Sequence, residues 1–495
     1  MLKTESYRRA ILFSTGLNVI IKAVLFINSI AIAYYFGSNI DTDLYFYLFS
    51  TVTLIAGLIN GMDLAVLIPE GMHISEEKGM QEARQFYNFF GFIYLLLGSL
   101  LFILLFFFSV PIFHLVSSYN RNTLSGHYSL LLLSSGLPLL IILSNYFTSV
   151  LTTLKYFTAP LIANGIAQLF ALGSLVLFHH KFGISAVLAG MITGYMLNVL
   201  LLVIFMRFKL HWNFKFHRLK LSKRIKRNLL SVQLGNLTSF AYNYGIILLL
   251  SGLAAGIYSA YNYSMQIVNM PNTFIVSQVA AVAGIKFNEL AAKKMQAQLN
   301  KIFIDSMSFL MFLLVPLCFL TWLYADTIVN ILFVRGTFTK DAAVHVVMFI
   351  KYLIFLLPCM AINTFLSRLL ISIKKVNESF YFQVGFNLFI LINIYIFTNL
   401  FGLDGFVWTV LAINYLYFMI VCIFLMKWLM PYIDYVQFLK LLLEIILLNL
   451  PLFIIAVVFL RDSLLITPFI YIGLLLALNR IFKVAPYINL NILKT

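Results

Sequence analysis

Long apolar segments, repeated along almost the whole chain, most constrain what this sequence can fold into. A membrane-spanning helix needs about 20 predominantly apolar residues. Such segments recur fourteen times in the 495 residues, at approximately 10–36, 43–69, 87–116, 127–153, 158–178, 183–206, 229–250, 253–285, 302–325, 341–372, 378–400, 404–427, 438–460 and 463–482. Since 62% of the residues are hydrophobic and 10% are charged, the sequence predicts an all-α polytopic membrane protein with about fourteen transmembrane helices.

The basic residues are divided unevenly between the loops on the two sides of the predicted membrane. If the N-terminus is cytoplasmic, 26 of the 34 Lys and Arg residues lie in the inside loops and tails. The outside loops hold only Arg121, Lys181, Arg335, Lys340 and Arg461. Because cytoplasmic loops of membrane proteins carry the excess of Lys and Arg, this asymmetry predicts that both termini are cytoplasmic.

The densest basic run, from Arg207 to Arg227, divides the chain. It contains nine basic residues, with aromatic residues between them, and predicts an amphipathic linker that rests on anionic lipid. RNA binding is the alternative for such a run, but we expect no nucleic-acid partner. The segments on its two sides repeat with a shift of roughly 215 residues, a layout common in transporters. We therefore predict an N-terminal six-helix lobe at 1–206, the linker at 207–228, a C-terminal six-helix lobe at 229–427, and two additional helices with a cytoplasmic tail at 428–495.

Lys22 lies near the middle of the first apolar segment. A charge at that depth costs about 2.5–3.5 kcal/mol on insertion scales, so an intramembrane lysine usually has a function. Lys22 shares a helix face with Asn18 and Ser29, at separations of four and seven residues. One interpretation is a central cavity that receives an anionic group at Lys22. The alternative is a structural ion pair, for which Asp63 is the candidate partner.

Uncharged polar residues accompany Lys22 and predict the rest of a substrate site. Tyrosine and amide groups suit sugar hydroxyls and sugar rings, although hydrogen bonding between helices would explain them equally well. The eighth segment is unusually rich in them, and Pro271 interrupts it. The predicted substrate-binding residues are Lys22, Asn18, Asn28, Ser29, Asp43, Asn60, Asp63, Tyr261, Asn262 and Gln266.

Motifs for catalysis, cofactor binding and metal binding are not found in the sequence. There is no P-loop, HExxH or GxSxG, and the three cysteines do not have the spacing of a metal site. The predicted outer loops are short, whereas a polysaccharide polymerase or ligase would need larger ones. We therefore predict a protein that is not an enzyme and needs no cofactor.

Three short motifs resemble the MurJ (MviN) family of lipid II flippases, within the multidrug/oligosaccharidyl-lipid/polysaccharide exporter superfamily. The stretch from Leu332 to Phe338 resembles the family's LFxxGxF signature. Phe36-Gly37 followed by Asp43 is similar to its FGA…DAFF turn, and the run from Tyr258 to Pro271 is similar to its AxxYADRLxxLP run. The resemblance covers the whole length, and it implies two lobes around a central cavity in a bacterial inner membrane.

The resemblance also implies a function and marks where this chain differs from the family. Members bind a lipid-linked diphosphate with cavity arginines, and Lys22 falls at the first such position. Other charged residues of the family are replaced: Asn28-Ser29 lies at an Arg-Asp pair, Ala56-Gly57 at an Arg pair, and Met265-Gln266 at an Asp-Arg pair. The resemblance implies a flippase for a polyprenyl-diphosphate-linked, lipid II-like cell-wall precursor, which would act as a monomer in peptidoglycan biosynthesis. Envelope-synthesis enzymes are candidate partners.

Two other functions remain open for the sequence. One is a flippase for another lipid-linked oligosaccharide, such as an O-antigen or exopolysaccharide unit. The other is a cation-coupled drug antiporter of the same superfamily, for which only Asp63 offers a deep acidic site.

Overall fold

Helices account for all the regular elements in the part of the chain that the structure describes. The structure is a computed structural model, and it describes residues 7–219, 223–373, 375–420, 426–459, 466–482 and 484. The first nine helices are α1 (Tyr7–Phe36), α2 (Ile40–Asn60), α3 (Ile68–Lys78), α4 (Met80–Val116), α5 (Arg121–Gly126), α6 (Tyr128–Thr153), α7 (Thr158–Phe182), α8 (Ser185–Ile204) and α9 (Lys223–Ser251).

The remaining helices complete the predicted set of spanning segments. They are α10 (Ile257–Pro271), α11 (Ser277–Ala292), α12 (Gln296–Leu323), α13 (Ala325–Leu332), α14 (Lys340–Leu353), α15 (Leu356–Ser372), α16 (Val376–Ile420), α17 (Met426–Leu429), α18 (Tyr435–Phe459) and α19 (Thr467–Phe482). Ten described helical segments are long and apolar enough to cross a bilayer, and the bent pair α14–α15 makes an eleventh. The prediction of an all-α polytopic membrane protein is confirmed. Residues 485–495, the end of the predicted cytoplasmic tail, lie outside the described residues.

The start of α2 shows how the sequence fixes a helix end beside a short loop. Asn39 is the N-cap, and its side-chain oxygen accepts hydrogen bonds from the backbone N–H groups of Asp41 and Thr42 at 2.9 and 3.1 Å. The Thr42 hydroxyl oxygen in turn accepts the Asn39 N–H at 2.9 Å. This capping box satisfies N–H groups that a helix leaves unpaired at its first turn, so the chain turns sharply between α1 and α2.

Short π-helical turns interrupt two of the predicted spanning segments. One covers Asp63–Leu67, between α2 and α3, and another covers Asn272–Val276, directly after Pro271. A proline removes one backbone hydrogen bond, and π-turns are common where the helical ladder is disturbed. The predicted disturbance at Pro271 is therefore confirmed as a change of helix type.

The chain divides into two compact units, which we describe separately. Unit 1 comprises Met1–Ser259 with Arg335–Ala342, and unit 2 comprises Ala260–Val334 with Ala343–Thr495. The lobe boundaries predicted from the sequence stay a prediction.

In unit 1, α6 packs against α2, α4 and α8, and α7 packs along both α1 and α8. Small residues allow α7 and α8 to approach closely. A Cβ atom on Gly194 would lie 2.5 Å from the Ala167 carbonyl oxygen, and one on Gly190 would lie 2.8 Å from the Phe170 carbonyl oxygen. Small residues at a helix interface are typical of membrane proteins, where close backbone packing drives association.

In unit 2, α12 packs against α11, α15 and α18. The Tyr415 hydroxyl donates a hydrogen bond to the Phe355 carbonyl oxygen at 2.8 Å, which ties α16 to the residue before α15. The last helix is joined to α18 by the Tyr471 hydroxyl, which lies 3.1 Å from the side-chain oxygen of the buried Asn449. These bonds satisfy polar groups that would be costly to leave unpaired in hydrocarbon.

The helix α16 covers two predicted segments and folds back on itself. Gly402 has φ 61°, a left-handed value that glycine adopts at low cost, and it separates the two legs. The rings of Phe386 and Tyr417 have centroids 3.9 Å apart, which shows that the legs lie side by side. The sequence predicts that one segment ends near residue 400 and the next begins near residue 404. Gly402 lies between them and supplies the positive φ of the turn.

Candidate functional site

Lys22 is exposed on α1. Among the residues described, no carboxylate lies within 4 Å of its ammonium nitrogen, so the structural ion pair with Asp63 is not formed in this conformation. Asn18, one turn earlier, is also exposed. The lysine is therefore available to an anionic group, although its role in substrate binding stays a prediction.

Asn28 and Ser29 differ from Lys22 because both are buried, with only 4% of each residue exposed. The Asn28 side-chain oxygen and the Ser29 hydroxyl have no hydrogen-bond partner in the described part of the protein. Buried polar atoms of this kind are usually satisfied by water or a ligand. Their predicted contact with the substrate stays a prediction.

Asp63 lies at the centre of a buried hydrogen-bond cluster at the start of the first π-turn. Its carboxylate accepts hydrogen bonds from the hydroxyl groups of Tyr94 on α4, at 2.5 Å, and Ser149 on α6, at 2.9 Å. The Asn60 amide lies 3.4 Å away and also donates to the Ile142 carbonyl oxygen at 3.2 Å. Only 3% of Asp63 is exposed, and its carboxylate joins three elements inside unit 1. Its predicted contact with the substrate stays a prediction.

Tyr94 and Ser149 were not identified from the sequence as partners of Asp63. Tyr94 is an isolated polar residue in an apolar run, Ser149 is one of several small polar residues near the end of its segment, and no motif includes either. A polar residue at membrane depth normally has a partner, which is the one signal that would have marked both positions.

Asp43 is buried and caps the N-terminus of α10. Its two carboxylate oxygens accept the backbone N–H groups of Gly256 and Ser259, both at 2.6 Å. A carboxylate is favourable there because the first N–H groups of a helix have no partner within the helix and carry positive partial charge. The Ser38 hydroxyl donates to the Gly256 carbonyl oxygen at 2.7 Å, next to the same turn.

Two glycines of the short motifs meet beside this cap. Gly336 has φ 63°, and a Cβ there would collide with the Tyr34 carbonyl oxygen. That oxygen accepts hydrogen bonds from the Thr337 N–H at 3.0 Å and the Thr337 hydroxyl at 3.1 Å. Gly37 has φ 70°, and a Cβ there would lie 2.9 Å from the Thr337 carbonyl oxygen.

We call this region of unit 1 the motif junction and define it by Tyr34, Gly37, Asp43, Gly256, Ser259, Gly336 and Thr337. The sequence identified its three motifs separately, and the structure brings them together. Each close approach depends on a glycine or on the Asp43 carboxylate, which explains why those residue types occur there.

The predicted site residues of unit 2 lie on α10. Tyr261 is half-buried, and its ring packs edge-on against Phe349 and Phe406 at centroid distances of 5.5 and 5.9 Å. Asn262 is half-buried and Gln266 is exposed. The contacts of Tyr261 are aromatic packing contacts, so the proposed stacking on sugar rings stays a prediction.

Lys351 forms an ion pair within unit 2. Its ammonium nitrogen lies 2.6 Å from an Asp326 carboxylate oxygen and 5.7 Å from the centroid of the Trp322 ring. Lys351 lies within the predicted segment 341–372, where a charged side chain calls for a function or a partner. The ion pair and the aromatic contact give it a structural explanation.

The basic linker is fixed to α4 by a buried tryptophan. Trp212 has no exposed surface, and its indole N–H donates to the Asn88 side-chain oxygen at 2.8 Å. The Asn88 amide donates to the carbonyl oxygens of Asn213 and Lys215 at 2.6 and 3.0 Å. Trp212 is one of the aromatic residues between the cations of the predicted amphipathic linker, and in the structure it anchors the linker to the protein. Residues 220–222 of the linker lie outside the described residues.

Solved structures of known proteins share this fold. A lipid II flippase MurJ in an inward closed conformation matches with a TM-score of 0.80 and 18% identity, over 95% of this chain and 98% of that chain. An inward-facing MATE family multidrug resistance transporter of the MOP superfamily matches with a TM-score of 0.65 and 13% identity, over 82% of this chain and 96% of that one. The fold therefore defines a class, the polytopic α-helical membrane proteins with the fold that these two transporters share.

The family follows from the sequence comparisons. The family model described as "Lipid II flippase MurJ" matches residues 32–478. A curated protein of Borreliella burgdorferi, named "Probable lipid II flippase MurJ", is 25% identical over 373 residues, which are 72% of this chain and 71% of that protein. The chain belongs to the lipid II flippase MurJ family. It is a multi-pass membrane transporter and not an enzyme.

Proposed function

We propose that this protein moves a polyprenyl-diphosphate-linked saccharide of the lipid II type across a bacterial inner membrane by alternating access, with both termini in the cytoplasm. Membership of the MurJ family supports this substrate class. The observation that carries the binding model is the exposed Lys22, for which the described residues provide no carboxylate partner. Lys22 attracts the diphosphate, while amide and tyrosine groups bind the sugars and the polyprenyl chain stays in lipid.

A flippase for a different lipid-linked oligosaccharide is the second candidate. It is favoured by the uncharged residues Ala56, Gly57 and Gln266 at positions where the MurJ family resemblance implies arginines. A drug antiporter has less support, because the carboxylate of Asp63 already accepts hydrogen bonds from Tyr94, Ser149 and Asn60.

Depletion of the protein in its host distinguishes the first two candidates. A lipid II flippase should leave lipid II accumulated in the cytoplasmic leaflet and stop peptidoglycan synthesis. Accumulation of another lipid-linked saccharide, with normal peptidoglycan, would assign the second function.

Substitution of Lys22 tests the binding model in reconstituted vesicles. Lys22→Met keeps the bulk but loses the charge, so we expect a folded protein whose flipping rate is reduced about 10- to 100-fold. That factor corresponds to the free energy of one hydrogen bond to a charged group. Lys22→Arg should keep most activity, because arginine retains the charge and can contact phosphate with two N–H groups.

Two controls separate binding from folding. Lys301→Met removes an exposed charge at the start of α12 and should leave flipping unchanged. The double variant Lys22→Met/Asp63→Asn should remain inactive. Its recovery, or full transport by a folded Lys22→Met protein, would refute the role of Lys22 in diphosphate binding.

A further inference from the structure

The linker segment at 207–219 lies over a cavity in unit 1. The cavity has a volume of about 250 Å³ and is formed by apolar side chains of α4, α6 and α8, with Phe214 of the linker at its edge. The Phe214 ring packs edge-on against Phe147 of α6, at a centroid distance of 6.2 Å. The linker therefore contributes one side of an apolar space inside a membrane protein.

The chemistry of the lining excludes a polar occupant. Two of the lining side chains carry polar groups, and both groups are already used within the protein. Asn88 binds the linker backbone and Trp212, and the Tyr146 hydroxyl donates to the Tyr87 carbonyl oxygen at 2.8 Å. The volume is also below the roughly 300–1,000 Å³ of pockets for drug-sized ligands, so a saccharide does not fit. A hydrocarbon chain is the chemistry that remains.

Two residues of α4 that line the cavity also form part of the exposed surface of that helix. Phe92 is 36% exposed and Leu95 is 41% exposed, and the next residue, Leu96, is 66% exposed. In a membrane-spanning helix such apolar surface faces lipid. The cavity therefore adjoins the acyl-chain region of the bilayer.

The linker beside the cavity carries cations and no acidic residue. Arg207, Lys209, Lys215 and Arg218 are all exposed, and the sequence from Phe205 to Leu219 contains no Asp or Glu. The carbonyl oxygen of Lys215 accepts a hydrogen bond from Asn88, which itself lines the cavity, so the backbone that carries this cation is held next to the apolar space. A ligand with one apolar chain and one anionic group matches both features.

We propose that this cavity holds one acyl chain of an anionic phospholipid whose phosphate group is bound by the linker cations, with Lys215 nearest. The Trp212 anchor keeps the linker in place, so the cations and the cavity form one preorganised site. Preorganisation favours binding because less freedom is lost when the lipid enters. This lipid is a bound component of the transporter and is distinct from the transported substrate, so the site exists whatever saccharide the protein moves.

Trp212 can report on the site in full-length protein. We would replace Trp322, Trp408 and Trp428 by Phe, reconstitute the protein in nanodiscs, and compare phosphatidylglycerol with phosphatidylcholine, each brominated on its acyl chains. Bromine quenches nearby indole fluorescence. At equal mole fraction, we expect brominated phosphatidylglycerol to quench Trp212 more strongly than brominated phosphatidylcholine does, and we call the difference the excess quenching. The excess quenching should disappear at about 1 M salt, because the Debye length there is about 3 Å.

Matched variants measure the contributions of the cavity and of the linker cations to lipid binding separately. Val199→Phe fills the cavity and should abolish the excess quenching, whereas Leu200→Phe, on the lipid-facing side of the same helix, should not. Lys209→Gln and Lys215→Gln leave the cavity intact, and each should weaken phosphatidylglycerol binding about fivefold. Unchanged Trp212 emission without bromine verifies that each variant is folded.

Three outcomes would overturn the assignment. Equal quenching by the two phospholipids would show that the site does not select an anionic lipid. Unchanged excess quenching in both the Val199→Phe and the Lys215→Gln proteins would place the lipid elsewhere. Displacement of brominated phosphatidylglycerol by polyprenyl phosphate at an equal mole fraction would assign the cavity to a polyprenyl chain instead.

Discussion

Tyr94 donates its hydroxyl hydrogen to the carboxylate of Asp63 across 2.5 Å, and both residues are buried in unit 1. A hydrogen bond to a charged group contributes about 1.5–3 kcal/mol, against about 0.5–1.5 kcal/mol for a neutral pair. We therefore expect Tyr94→Phe to lower the unfolding free energy by about 1.5–3 kcal/mol. Tyr128→Phe is the control, since Tyr128 is 50% exposed and should change stability little. Equal melting temperatures for the two variants would show that the Tyr94–Asp63 bond contributes nothing.

The pair His127 and Asp41 predicts a dependence of stability on pH. Partial burial lowers the pKa of His127, but its hydrogen bonds with the Thr123 carbonyl and Asp41 outweigh that effect and raise the pKa above 6.5. A raised folded-state pKa gives stability that is complete below the unfolded pKa of about 6.5 and is lost as the pH rises through the folded value. The melting temperature should therefore fall across that range.

The variant His127→Gln should remove this part of the pH dependence, and Asp41→Asn should reduce it. His114→Gln, at an exposed position on α4, should keep the wild-type slope. If His127→Gln melts with the wild-type pH slope, the ion pair does not influence stability.

Gly336 in the motif junction should not tolerate a side chain. Its positive φ costs an L-residue roughly 1–2 kcal/mol, and the added Cβ meets the Tyr34 carbonyl oxygen. We expect Gly336→Ala to lose at least that much stability and to reduce flipping. Gly173→Ala on α7, where a Cβ meets open space, should be neutral or up to about 1 kcal/mol more stable. If Gly336→Ala were as stable as the wild-type protein, the close approach of Gly336 to the Tyr34 carbonyl oxygen would be contradicted.

Cysteine labelling in intact cells tests the predicted orientation. Single cysteines at Arg121, Lys181 and Lys340, all exposed positions, should react with a reagent that does not cross the membrane, whereas one at Lys215 should be protected. The native Cys318 and Cys359 are buried and should contribute little background, and Cys422→Ser removes the third thiol. The reverse labelling pattern would place both termini outside.

The sequence predicted the helical class and the positions of most spans because long apolar runs admit few other structures in lipid. It also identified glycines of the motif junction, since Gly37 and Gly336 belong to recognisable short motifs. That the motifs meet could not be predicted, because the contacts join residues more than 200 positions apart, as between Asp43 and Gly256.

The local roles of single polar residues were the least predictable. The charge of Asp63 is visible in the sequence and made it a candidate substrate ligand, but its hydroxyl partners on α4 and α6 could not be predicted. Trp212 looked like a lipid anchor because it lies between cations, whereas Asn88 holds it inside the protein. In both cases the deciding partner lies on a different helix, and helix periodicity carries no information about it.

The left-handed turn at Gly402 has a consequence for how the chain enters the membrane. Because one glycine separates the two legs of α16, they form a tight helical hairpin with no intervening loop. We expect this hairpin to insert into the membrane as one unit, since its inner faces, including Phe386 and Tyr417, contact each other. In the predicted orientation, insertion would move Asp404, the charged residue beside the tip, across the bilayer together with both legs.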